Sequence, residues 1–127
     1  MGNPISNQIK TGTIGELLVQ TRPLQFDVQS APPLKDSGND LIAVRGEVFK
    51  GIQVKTTTKE DFRLSNLPEH YHIVAFVELR GEDNDIYLDD SCVYLIPRTE
   101  IENGGVQEKM ERFLLTQKLV DKLFCEE

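Results

Sequence analysis

The runs Asp40-Leu41-Ile42-Ala43-Val44 and Val48-Phe49-Lys50-Gly51-Ile52-Gln53-Val54-Lys55, joined by Arg45-Gly46-Glu47, constrain this chain more than any other feature. Two strand-like segments linked by so short a glycine-containing connection must double back on each other as a hairpin. Strand side chains alternate between faces, so Gly51, Gln53 and Lys55 share one face while Ile52 and Val54 point into a core. The turn decides where Asp40 lies. If Gly46-Glu47 is the turn, Arg45 faces Val48 and Asp40 faces Gln53; if Arg45-Gly46 is the turn, Asp40 faces Gly51. Either even register keeps Asp40 on the face of Gln53 and Lys55. A three-residue turn pairs it with Ile52 and sends it to the wrong face unless a bulge restores the phase.

At 127 residues the chain has the size of a single domain with one core. Ahead of the hairpin, the spacing predicts a helix from about Thr13 to Thr21, with Glu16 able to reach back to the Thr13 amide as a capping box, or a helix beginning earlier, near Ser6. Phe26–Ser30 reads as a strand. After the hairpin come a short helix over Glu60–Leu67, a strand over Tyr71–Leu79, an acidic loop from Arg80 to Asp90 and a strand over Cys92–Ile96. Beyond Asn103-Gly104-Gly105, the helical spacing of Val106, Met110, Phe113, Leu114, Gln117, Val120 and Phe124 predicts one long C-terminal helix. Leu115, Leu119 and Leu123 widen its apolar stripe enough to suggest a partner surface as well as a core face. This order of elements implies an α/β fold with helices on a central mixed sheet.

The net charge of -7 weighs against broad nucleic-acid binding, but it is unevenly spread. Residues 1–66 carry 8 Lys/Arg against 7 Asp/Glu, or +1, and residues 67–127 carry 6 against 14, or -8. The hairpin lies in the less acidic half. The N-terminal segment has no apolar signal core and no later apolar run approaches bilayer length, so the expectation is a soluble cytoplasmic protein without a membrane partner. Cys92 and Cys125 lack the spacing of a zinc or redox pair and read as free thiols. His70 and His72 lack a further ligand, and the loop Glu82-Asp83-Asn84-Asp85 lacks the glycine and closing glutamate of an EF-hand.

A carboxylate, an amide oxygen and a lysine on one face of a hairpin make a hard-oxygen site suited to Mg²⁺, with a cation beside it to act on water or phosphate. The stretch GNDLIAVRGEVFKGIQVKTTT resembles the core of the PD-(D/E)XK nuclease superfamily, particularly restriction-like and intron-encoded members in which Gln replaces the acidic residue of the tripeptide. GTIGELLVQ resembles that family's leading helix with its glutamate, and VYLIPRTEI a late strand of its small members. The resemblance implies a restriction-endonuclease-like core and a DNA endonuclease using Mg²⁺, with Mn²⁺ able to substitute. It implies Asp40 as metal-binding aspartate, Gln53 as the middle motif residue, Lys55 as catalytic lysine and Glu16 as auxiliary acid, with the Val54 carbonyl as a further ligand. Asn39 stands where the family has proline, and the neutral Gln53 implies weaker metal binding than a carboxylate would give.

Thr56, Thr57 and Lys59 follow the lysine closely enough to contact a DNA backbone. No zinc finger, helix-turn-helix or basic tail indicates how a target would be read, so a homodimer through the C-terminal helix or a larger DNA-reading partner is implied. A catalytically inactive domain of the same fold, acting through protein contacts on its acidic half, is the competing expectation.

Overall fold

A computed structural model of the chain describes residues 5–34, 38–59, 62–82 and 85–125. Helix α1 (Asn7–Thr21) begins at Ser6, whose hydroxyl accepts the Ile9 N–H at 3.1 Å. The earlier of the two expected starts is therefore the observed one. Thr13 and Glu16 lie inside the helix, and the capping box is corrected: Ser6 supplies the cap, so the Glu16 carboxyl is not spent on one. A 3₁₀ turn over Pro23–Phe26 follows, and Asp27 sits in the left-handed region at φ 68°. That turn displaces the first strand from the expected Phe26 start to β1 (Gln29–Ala31).

The hairpin adopts the even register in which Gly46-Glu47 is the turn. Strand β2 (Leu41–Arg45) runs antiparallel to β3 (Val48–Thr57), with Arg45 opposite Val48 and Leu41 opposite Ile52. Gly46 has φ 63°, a conformation that favours glycine at the first central position of a two-residue turn. β3 then pairs in parallel with β4 (Ile73–Glu78). The stretch expected to be an acidic loop contains a short ribbon, β5 (Gly81–Glu82) with β6 (Asp85–Ile86), before β7 (Cys92–Pro97) returns antiparallel to β4. The resulting five-stranded mixed sheet has the order β1-β2-β3-β4-β7.

Two expected helices are corrected. Glu60 and Asp61 lie outside the described residues, and Phe62–Leu67 is not helical; Phe62 and Leu64 instead pack on a cluster formed by Phe76, Ile96, Val106 and Phe113. A helix not expected, α2 (Arg98–Asn103), ends at Gly104 with φ 79°. The long C-terminal helix is broken into a 3₁₀ segment, Gln107–Phe113, and a separate α3 (Gln117–Leu123). The break has a physical cause: Leu114 bridges to Tyr94 and the Leu115 N–H bonds the Val93 carbonyl at 3.0 Å, so the edge of β7 takes up this backbone. Thr116 then restarts the helix by accepting the Leu119 N–H at 3.1 Å.

Alternation in β3 and β4 separates two cores. Ile52, Ile73, Ala75, Val77, Val93 and Leu95 face α1 and α3, where Val19, Leu119, Val120 and Phe124 complete the packing. Phe76 and Ile96 face the other side. An ion pair of 2.7 Å between Arg45 Nη2 and Asp121 Oδ1 ties the hairpin turn to α3. Among the described residues, no helix is long and apolar enough to cross a membrane.

The approach of α1 to the sheet is closest at Gly15, where an added Cβ would stand 1.9 Å from Thr56 Oγ1 and 3.0 Å from Thr56 Cβ. Gly15→Ala should therefore destabilise the fold by about 1–3 kcal/mol, the usual cost of overpacking. Adding Thr56→Ala, which removes the offending oxygen, should recover part of that loss in urea denaturation. A Gly15→Ala protein as stable as the parent would show that α1 does not rest on β3 at this point.

Candidate active site at the open edge of β3

Ten residues of β3 face only five of β2, so the second half of β3 has no strand partner on the β2 side. Asp40 stands where that pairing stops. Its backbone N–H bonds the Ile52 carbonyl at 3.0 Å, and its Oδ2 accepts the Val54 N–H at 2.8 Å. A side chain thus continues the ladder by one step after the strand has ended. In a strand, a residue's N–H and C=O point to the same edge, so the Val54 carbonyl opens on the side where Asp40 lies.

Helix α1 brings Glu16 to this edge. Glu16 and Gly12 of α1, with Val54, Lys55 and Thr56 of β3, line a cavity of about 200 Å³. Burial raises the Glu16 pKa above its ordinary value, and the nearby Asp40 charge raises it further. Glu16, Val54 and Lys55 therefore border one cavity, and Asp40 is near enough for Glu16 to feel its charge. Among the described residues, Lys55 has no salt-bridge partner.

Gln53 is the motif residue opposite Asp40 in the continued register. Its Oε1 is buried without a hydrogen-bond partner, as is Asn39 Oδ1. Buried amide oxygens normally find a donor, so each is an unfilled acceptor. Thr56 is taken up beneath Gly15 of α1. Thr57 Oγ1 both donates to the Lys59 carbonyl and accepts the Lys59 N–H, each at 3.1 Å, which closes a local turn at the end of the strand.

Three residues that the motif does not single out help position Asp40. The Asn39 side chain lies over Gly51, where an added Cβ would come within 2.9 Å of its Cγ and Oδ1. The Gly51 N–H donates to His72 Nδ1 at 2.9 Å, and the His72 N–H returns a bond to the Gly51 carbonyl at 3.0 Å. Burial, then the charges of Lys50 and Arg98, lower the His72 pKa, which keeps Nδ1 free as an acceptor. The sequence signals for this set were the small residue two before Gln53 and the asparagine before Asp40. Among the described residues, no three His, Cys, Asp or Glu side chains converge as a metal cluster.

The expected α/β fold, a central mixed sheet flanked by helices with a C-terminal helix, is the one observed, with α1 laid across the strand bearing Gln53-Val54-Lys55 and an aspartate closing that strand's open edge. The particular protein it resembles is a bacterial homing endonuclease, I-Ssp6803I. The two structures align with a TM-score of 0.55 and 18% sequence identity, over 83% of this chain and 72% of that one. No family model matches the sequence, and no curated protein matches it significantly.

The raised Glu16 pKa gives a signed prediction. A carboxyl that binds its proton more tightly when folded contributes stability at low pH, and that contribution is lost as pH rises through the folded pKa. Glu16→Gln abolishes the dependence. The melting temperature of the variant should gain on that of the parent between pH 4 and pH 7, and a difference that does not change with pH would place Glu16 outside the influence of Asp40.

Proposed function

We propose that this chain is a metal-dependent endonuclease domain of the PD-(D/E)XK type that hydrolyses phosphodiester bonds of DNA. The observation that carries the proposal is the Asp40 carboxylate bonded to the Val54 N–H at the open edge of β3, beside Glu16 and next to Lys55. The donor set suits a hard divalent cation: two carboxylates, a backbone carbonyl and a buried amide oxygen with no partner of its own. Asp40, Glu16, Gln53 and the Val54 carbonyl would hold Mg²⁺, or Mn²⁺ in its place. Such an ion, when bound, supplies positive charge for activating water and for neutralising the phosphate.

The protein's own groups do the rest. Asp40 is fixed by two hydrogen bonds to β3, so its second oxygen is presented from a rigid element. Lys55 places its ammonium where negative charge develops on the phosphate. Glu16, at the same cavity as Val54 and Lys55, would add its carboxylate to the set that holds the ion. Thr57 and Lys59, in their turn at the end of β3, stand where a phosphate backbone leaving the site would pass. The acidic charge of residues 67–127 disfavours an extended phosphate backbone on that half, so a second copy or a larger DNA-reading partner would supply the remaining grip.

The test is cleavage of single-stranded, duplex and branched DNA with Mg²⁺ or Mn²⁺. Lys55→Ala and Asp40→Ala should each lower the rate by about 10²–10³-fold, the range seen when a group stabilising developing charge is removed. Gln53→Glu adds a negative ligand and should lower the Mg²⁺ concentration needed for half-maximal rate. Absence of metal-dependent cutting, or equal cutting by Lys55→Ala, would overturn the nuclease reading in favour of a catalytically silent module.

A further inference from the structure

On the sheet face that carries Gln53 and Lys55, a row of side chains crosses three strands. Lys55 of β3 is opposite Phe76 of β4, and Phe76 is opposite Tyr94 of β7. Phe62, from the segment after β3, stands against Phe76 with ring centroids 5.0 Å apart and planes inclined at 47°. Tyr94 stands on the other side at 6.4 Å and 54°. The three rings and Met110 wall a cleft of about 280 Å³. Its wall begins at Phe76, on the strand next to the one that bears Lys55.

The polar groups at the cleft are of an unusual kind for a DNA-cutting domain. Glu78 lines it and is held by Arg80, whose Nε and Nη2 both bond Oε1 at 2.9 and 2.8 Å, with no hydrogen bond to Oε2 among the described residues. Gln107 adds an amide with both donor and acceptor capacity. Burial, then the charges of Cys92 and Glu78, raise the Tyr94 pKa, so its hydroxyl remains a donor at neutral pH. A carboxylate repels phosphate, but carboxylate, amide and guanidinium groups all read the hydrogen-bonding edges of bases. The volume lies just below that of pockets for drug-sized ligands, which suits one flat heterocycle.

We propose that the cleft formed by Phe62, Phe76 and Tyr94 receives one unstacked nucleobase of the substrate strand, so that a base is held next to the phosphate that Lys55 meets. The inference rests on the nuclease reading for the position of that phosphate and goes beyond it by naming the substrate: a strand that is single or locally opened, with a base free to leave its stack. Aromatic rings hold bases of any sequence by their faces, which gives local grip without a basic surface. Lys55 and Phe76 are register partners on adjacent strands, so the base and the phosphate fall on the same sheet face.

The experiment uses a single-stranded oligonucleotide carrying one 2-aminopurine, mixed with the full chain without divalent metal. Its fluorescence should be quenched by the parent chain. Phe62→Leu and Tyr94→Leu should weaken the titration by about 10-fold, within the range for losing one base stack, while Tyr94→Phe should retain it. Melting curves identify any leucine variant that fails to fold, and the comparison then rests on the folded leucine variant and Tyr94→Phe. Quenching by a protein that cuts nothing would uphold the cleft and remove the nuclease reading. A protein that cuts DNA but leaves the probe unquenched, or is equally quenched with all the variants, overturns the cleft and leaves the nuclease reading standing.

Discussion

The hydrogen bond from the Val54 N–H to Asp40 Oδ2 is the constraint on which the rest of this structure depends. A sheet built from strands of unequal length leaves unpaired backbone groups where the shorter strand stops, and such groups are costly if buried and sticky if exposed. Here β2 stops and a carboxylate takes over its task for one residue. The same bond fixes the carboxylate on the most ordered element available, with its second oxygen uncommitted to the ladder. Closing a strand edge and presenting an anion are thus one structural event, and moving Asp40 would disturb both.

How much of this was legible in the sequence depends on the range of the interaction. The shared face of Asp40, Gln53 and Lys55 followed from period-two alternation and a turn containing Gly46, both local properties, and the register Arg45 opposite Val48 is the even one required. The arrival of Glu16 was not readable from spacing, because it depends on where α1 crosses β3, which the Gly15–Thr56 approach sets. Helical periodicity from Val106 to Phe124 was real but misleading. Val106, Phe113, Val120 and Phe124 are buried, yet Leu114 and Leu115 turn their backbone to β7, an edge that no pattern within the segment reveals. Phe62 and Leu64 likewise went to a core on the far side of the sheet instead of forming a helix.

The neutral Gln53 has a physical consequence for the folded chain. Burial, and then the charge of Asp40, already raise the Glu16 pKa. A third carboxylate at position 53 would add to that repulsion in a half-buried place, and the fold would carry the cost whenever no cation was present. Gln53 keeps an oxygen at the position without the charge. The site can then form from the sheet and α1 alone, at the expense of cation affinity.

β3 also explains how one strand can serve two kinds of contact. Thr56 on one face is pressed against Gly15, so the helix holding Glu16 cannot slide without a clash. On the opposite face Lys55 has Phe76 beside it, and Phe76 is 3% exposed, locked between Phe62 and Tyr94. Lys55, Phe76 and Tyr94 are therefore referred to one sheet, whose hydrogen bonds set the spacing between their strands and hold it against side-chain motion.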